Sequence, residues 1–94
     1  MQANLTIKGH VQGVLFRSDG RKRAIEEGLT GWIKNEPNGT VSVCAQGKKR
    51  DIESFIDWCR KGPPLAMVEE IRIQWIPEPK ESFDSFQILN HQRA

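Results

Sequence analysis

Three stretches of the chain alternate polar and apolar residues with the period of two that is typical of a strand burying one face. Two shorter runs, residues 31–35 and 86–89, are also rich in strand-forming residues, and the turn sequence EPNG separates the first of them from residues 40–46. The pattern therefore predicts five strands. The apolar positions of the three alternating stretches are Ala3, Leu5 and Ile7, then Val41, Val43 and Ala45, then Ile71, Ile73 and Trp75.

Residues 48–60 change to a helical period. Apolar side chains recur there at i, i+3, i+4 and i+7, the spacing of one helix face, and a Gly-Pro-Pro sequence follows directly. This segment is predicted to be a helix that ends sharply at residue 62. The apolar positions are Ile52, Phe55, Ile56 and Cys59.

An earlier helix is predicted between the first two strands. Ser18 or Asp19 is a candidate N-cap, and Gly28 is a candidate C-terminal stop. A glycine inside this segment costs about 1 kcal/mol relative to alanine, so its boundaries are poorly defined by propensity. The expected buried stripe consists of Phe16, Gly20, Ala24 and Ile25.

The order of these elements is strand, helix, strand, strand, helix, strand, followed by a short terminal strand. Strands that are apolar on one parity suit an antiparallel sheet with both helices on one face. We therefore expect an α+β protein with a ferredoxin-like two-layer sandwich, built as a single domain over residues 1–94. This fold carries many functions, so the function has to be inferred from a site.

Composition narrows the possibilities. A net charge of +2 is too small to indicate a nucleic-acid or membrane surface by itself. The N-terminus lacks the apolar core of a secretory signal, and we expect a cytoplasmic monomer. Cys44 and Cys59 are too few for a disulfide scaffold and lack zinc-site spacing, so both are expected to be reduced and structural.

Familiar catalytic clusters are missing from the sequence. There is no Cys/His metal cluster, no Ser/His/Asp order that so short a chain could assemble, and no Gly-Lys-Ser/Thr ending of a nucleotide-binding loop. His10 and His91 are expected to be solvated, with at most a minor role for His10 beside a substrate. No metal or cofactor is expected.

The segment GHVQGVLFR, residues 9–17, remains as a candidate site. Gly9 and Gly13 can take positive φ, which lets successive amides point into one concavity at a helix N-terminus and favours an anion. Arg17 adds a planar, permanently charged group that can hold two oxygens of a phosphate. These residues alone are equally consistent with a tight turn and a surface ion pair of Arg17.

Two ordered motifs change this balance. Residues 9–17 fit the pattern Gly-x-Val-Gln-Gly-Val-x-aromatic-Arg, and GLTGWIKNEPNGTV follows at residues 28–41, with AQG and GPPLAMV later. Together they resemble the acylphosphatase family from about Leu5 to Leu89. The resemblance implies that Arg17 binds the substrate phosphate and that Asn35 orients the attacking water. The phosphate-binding residues implied by the first motif are His10, Val11, Gln12, Gly13, Val14, Leu15, Phe16 and Arg17.

The implied substrate is an acyl phosphate, with inorganic phosphate as product or inhibitor. Its leaving group is a carboxylate, a weak base, so the reaction needs no general acid and mainly requires held oxygens and an aligned water. Without the resemblance, Asn35 is better explained as a turn residue that bonds its own backbone. With it, we favour catalysis by Asn35.

Two other classes are compatible with the fold. A non-catalytic module could use the same cradle to bind an acyl or carbamoyl phosphate without turnover, but this chain keeps both Arg17 and Asn35. An RNA-binding domain needs aromatic side chains on its exposed central strands, and residues 40–46 place Thr, Ser, Cys and Gln there instead. We therefore expect an enzyme and no nucleic-acid partner.

Overall fold

The computed structural model describes residues 1–90, which form five strands and two helices. The elements follow the predicted order. Each predicted strand and both helices are found. Their bounds are β1 Gln2–His10, α1 Phe16–Glu26, β2 Thr30–Asn35, β3 Val41–Gln46, α2 Lys49–Lys61, β4 Met67–Ile76 and β5 Phe86–Leu89.

The strands make one sheet in the order β4-β1-β3-β2-β5. β1 pairs antiparallel with both β3 and β4, and β2 pairs antiparallel with β3. These four strands and the two helices confirm the ferredoxin-like α+β sandwich. The terminal strand β5 pairs in parallel with β2, so the sheet as a whole is mixed rather than purely antiparallel.

The direction of β5 follows from the route of the chain. β4 ends at Ile76 beside Gln2, at the same end of the sheet where β2 begins. Residues 77–85 cross that end, held where Gln46 Nε2 donates to the Glu81 carbonyl and Gly31 N donates to the Ser85 carbonyl. β5 therefore starts beside the start of β2 and runs in the same direction.

The core lies between the sheet and the helices. The predicted inward positions of β1 and β3 are all buried, and the four predicted positions of α2 are the buried ones of that helix. Trp58 packs between Phe16 and Phe55, with ring centroids 5.4 and 6.3 Å away. The largest side chains of this core are Phe16, Phe55, Phe86, Leu5, Ile7, Ile33 and Ile52.

The start of α1 differs from the sequence prediction. The helix begins at Phe16, and Leu15 occupies the cap position in a left-handed conformation with no side-chain cap. Neither Ser18 nor Asp19 caps it, because both already lie inside the first turn, and the Ser18 hydroxyl donates to the Leu15 carbonyl instead. Ile25 was also misplaced, since it is 49% exposed on the solvent side of the stripe.

Contacts on both sides hold α1 in place. Arg21 Nε donates to the Phe86 carbonyl of β5 at 2.9 Å. On the other side, the Glu27 carboxylate accepts from the Ser54 hydroxyl of α2 at 2.6 Å and pairs with Arg23 at 2.9 Å. The hydrogen bond from Ser54 and the charge of Arg23 lower the pKa of Glu27. These contacts attach the second half of α1 to β5 on one side and to α2 on the other.

Gly9 allows β1 and β4 to approach each other closely where the loop begins. The β1–β4 register shifts between Lys8 and Gly9, and Gly9 has φ 133°. A Cβ at this position overlaps the Met67 carbonyl oxygen and lies 2.9 Å from the Glu69 amide. Both obstacles are backbone atoms, which cannot move aside as a side chain can.

Gly9→Ala should therefore lower the free energy of unfolding by about 3 kcal/mol or more, since backbone strain adds to a steric clash. Gly39→Ala is the matched control: Gly39 also has positive φ, 90°, but nothing lies within 4 Å of an added Cβ. It should cost only about 1 kcal/mol. Urea denaturation of both variants measures the difference, and equal losses would contradict the close approach at Gly9.

Candidate active site

A cleft of about 410 Å³ opens at one end of the sheet, where the loop after β1 meets the ends of β2 and β5. Its position follows from the register, because Ile7 and Asn35 both pair with Val41 and so bring the ends of β1 and β2 together. The residues lining it are Val11, Gly13, Leu15, Phe16, Arg17, Ser18, Asn35, Ile88 and Asn90.

The loop that borders this cleft contains a run of backbone amides without an acceptor among the described residues. Gly13 and Leu15 have φ 76° and 69°, which turns the chain into the start of α1. The amides of residues 13–18 donate to no backbone carbonyl among residues 1–90, and the helix proper begins with Asp19 N donating to the Leu15 carbonyl. Unpaired amides at a helix N-terminus carry partial positive charge and favour an anion.

Arg17 is the second residue of α1 and is half-buried in the wall of the cleft. Its guanidinium makes no ion pair with a carboxylate of residues 1–90, whose salt bridges all involve other side chains. The surface ion pair considered from the sequence is therefore not formed within these residues. A fixed positive charge faces a cleft already lined by amide donors.

Asn35 is the last residue of β2, and its Oδ1 atom is buried without a hydrogen-bond partner among residues 1–90. The turn-residue explanation fits Asn38 instead, since Asn38 Oδ1 accepts from the Thr40 amide at 3.1 Å and the Thr40 hydroxyl at 2.7 Å. A buried unpaired acceptor costs stability. Asn35 is also one of the residues that line the cleft, so its side-chain amide borders the space that a ligand would occupy.

Gln12 connects the loop to the turn that follows Asn35. Its Nε2 donates to the carbonyls of Glu36 at 2.8 Å and Thr40 at 2.9 Å. The side chain thus faces the β2–β3 turn, and Gln12 does not line the cleft. The sequence placed Gln12 in the phosphate-binding segment but gave no signal of this cross-link, because its acceptors are backbone atoms 24 and 28 residues away.

The other predicted loop residues divide between core and surface. Val11, Val14 and Phe16 are buried, so their side chains belong to the core. His10 is the exposed last residue of β1, paired with Met67, rather than a loop residue, and its side chain does not line the cleft. His91 lies outside the described residues.

Three lining residues were missed by the sequence reasoning. Ser18 was assigned to a helix cap, and Ile88 and Asn90 reach the cleft only because β5 lies beside β2. The parallel pairing of β5 depends on the course of residues 77–85, which has no periodic signal. A single sequence therefore offered no indication that the terminal strand borders the site.

Other reactive groups lie away from the cleft. Among residues 1–90 no three His, Cys, Asp or Glu side chains are grouped to hold a metal ion. Both cysteines are free and buried, and burial raises the pKa of the Cys44 and Cys59 thiols. Within the same residues no helix is long and apolar enough to cross a membrane.

Amide donors at a helix N-terminus together with an arginine beside one cleft are typical of a protein that binds an oxyanion. The acylphosphatase family model matches residues 3–88, which confirms the resemblance carried by the two motifs. The chain belongs to the acylphosphatase family.

Individual relatives agree with this assignment. An acylphosphatase of Syntrophus aciditrophicus is 40% identical over 93 residues, covering 99% of this chain and 96% of that protein. An acylphosphatase structure from Bacillus subtilis has a TM-score of 0.90 at 30% identity, with 94% of this chain and 97% of that chain covered. One from Coxiella burnetii has a TM-score of 0.87 at 36% identity, covering 94% and 90%.

Gln12→Ala should lower the free energy of unfolding by about 1–2 kcal/mol, because two hydrogen bonds between loop and turn are lost. It should also lower kcat by about 10-fold or more, since the relative position of Arg17 and Asn35 loosens. Gln87→Ala is the control, as Gln87 is exposed and bonds only Ser85 among described side chains. Denaturation and kinetics of both variants test this prediction. Equal free energies of unfolding and equal kcat values in the two variants would contradict the cross-link.

Proposed function

We propose that this cleft hydrolyses acyl phosphates to a carboxylate and inorganic phosphate, with Arg17 and the loop amides binding the phosphate and Asn35 orienting the attacking water. The observation that carries the proposal is that one cleft is lined by a cation without an ion pair and a buried acceptor without a donor, among residues 1–90. Two unsatisfied groups of opposite hydrogen-bonding character suit an anion and a water.

The phosphate group is held by complementary donors. The guanidinium of Arg17 offers two parallel N–H donors to two phosphate oxygens, and the amides of residues 13–18 supply further donors along the positive end of α1. Charge on the equatorial oxygens is therefore stabilised in the bound substrate and in the transition state. Val11, Val14 and Phe16 contribute backbone amides or loop packing rather than side-chain contacts.

Asn35 is assigned to the nucleophile. Its side-chain amide, which borders the cleft, forms a hydrogen bond with a water whose oxygen then attacks phosphorus, in line with the departing carboxylate. A bond forms between that oxygen and phosphorus as the bond between phosphorus and the acyl oxygen breaks. The water's proton passes to a phosphate oxygen, and the carboxylate leaves unprotonated, so the step needs neither an enzymatic base nor a metal.

We further propose that the protein works as a cytoplasmic monomer. The proposed mechanism uses only Arg17, Asn35 and the loop amides, so it needs no group from a second copy of the chain. Sedimentation analysis of the purified chain reads the mass directly.

Arg17→Gln should raise the inhibition constant of inorganic phosphate by about 10- to 100-fold and lower kcat as well, since a charged contact to phosphate exists in both ground and transition states. Arg50→Gln, an exposed arginine at the start of α2, is the control and should change neither. Hydrolysis is assayed with a chelator present, which should leave the parental rate unchanged. Unaltered phosphate inhibition in Arg17→Gln would place the anion site elsewhere.

Asn35→Ala should lower kcat by about 10²-fold while the phosphate inhibition constant stays within about 2-fold, because the phosphate donors are untouched. The free energy of unfolding should change by under about 0.5 kcal/mol, since Asn35 Oδ1 has no described partner to lose.

The matched control for Asn35 is Asn38→Ala. It removes the two turn bonds to Thr40 and should lower stability by about 1 kcal/mol without slowing hydrolysis. Kinetics and thermal melting of both variants distinguish the role of Asn35 from that of Asn38. An Asn35→Ala protein that binds phosphate normally and turns over at the parental rate would mean that another group holds the water.

A further inference from the structure

Leu15 has an unusual position at the mouth of the cleft. Its side chain is 69% exposed although the residue lies between the buried Val14 and Phe16. It also adopts the left-handed backbone conformation, φ 69° and ψ 18°, which glycine and asparagine accept more readily than leucine. A large apolar side chain is thus held in water, on a strained backbone, beside the phosphate donors.

Ile88 supplies a second apolar surface to the same cleft. It is half-buried in β5, which lies beside β2 and therefore beside Asn35. Val11 and Phe16 are each 1% exposed and leave almost no surface for a ligand. Once the amides and Arg17 hold a phosphate, the accessible apolar surface next to it belongs to Leu15 and Ile88.

The charges of the residues that line the cleft also favour an apolar group next to the phosphate. Arg17 is the one charged side chain among the described residues that line the cleft, and the proposed function assigns it to the phosphate. The remaining polar side chains, Ser18, Asn35 and Asn90, are neutral. An acyl group that carries its own carboxylate or ammonium meets no described counter-charge there, whereas an uncharged apolar group can cover Leu15 and Ile88.

We propose that Leu15 and Ile88 form the acyl subsite, and that this enzyme prefers uncharged apolar acyl phosphates. The inference rests on the proposed phosphate site, because the acyl group is located by the phosphate to which it is bonded. Leu15 then determines specificity, and its exposed side chain is shielded from water when an apolar acyl group is bound.

The test compares kcat/KM for benzoyl phosphate with kcat/KM for acetyl phosphate. The ratio cancels any change in phosphate binding that both substrates share. Leu15→Asn and Leu15→Gly both suit the left-handed backbone, so the loop conformation is kept while the apolar surface is lost. Each should reduce the benzoyl-to-acetyl ratio by about 3- to 10-fold. Leu65→Asn is the control, since Leu65 is 74% exposed but does not line the cleft, and its ratio should stay parental.

A second comparison tests the charge preference in the parental protein. 4-Methylbenzoyl and 4-carboxybenzoyl phosphates are similar in shape and differ in charge, and their rates are normalised to uncatalysed hydrolysis. The methyl compound should have the higher kcat/KM by about 10-fold. An unchanged benzoyl-to-acetyl ratio in both Leu15 variants, or equal rates for the two substituted substrates, overturns the acyl subsite. If phosphate inhibition is parental in those variants, the failure concerns the subsite and leaves the phosphate site standing.

Discussion

The pairing of β1 and β2 on either side of β3 is the constraint on which the site depends. Both strands run antiparallel to β3, so they run parallel to each other and end at the same edge of the sheet. Val41 pairs with Ile7 on one side and with Asn35 on the other, which places the loop after β1 close to Asn35. Gln12 then bonds the loop to the turn, so that two segments distant in sequence become one rigid site.

The cleft contains several groups that a stable protein normally pairs in hydrogen bonds, buries or keeps free of backbone strain. Asn35 Oδ1 is buried without a described partner, the loop amides are unpaired within residues 1–90, and Leu15 is strained and exposed. The buried unpaired acceptor and the strained leucine each cost on the order of 1–3 kcal/mol. The closely packed layer beneath, in which Phe16 and Trp58 pack edge to face, offsets that cost and holds the first turn of α1. Preorganised but unsatisfied donors and acceptors are what phosphoryl transfer requires.

Periodicity predicted β1, β3, β4 and α2, whereas runs of strand-forming residues predicted β2 and β5, and cap and stop residues together with an expected buried stripe predicted α1. The features that the sequence pattern did not predict depend on contacts that do not recur at a regular spacing along the chain. The left-handed Leu15 starts α1 before the predicted caps, and the crossing at residues 77–85 sets the direction of β5. Within the site, Arg17 and Asn35 were found through motif resemblance, and they do line one cleft. The Gln12 cross-link was missed because its acceptors are backbone carbonyls, which carry no sequence identity.

The central claim is that one phosphate contacts the loop amides while Asn35 faces it. The most direct measurement is a titration of the isotope-labelled protein with inorganic phosphate, followed by amide and side-chain nuclear magnetic resonance. Saturable shifts are expected for the backbone amides of residues 13–18, for the Arg17 side chain and for the Asn35 side-chain amide. Shifts centred on another surface, with residues 13–18 and Asn35 unchanged at saturation, would contradict it.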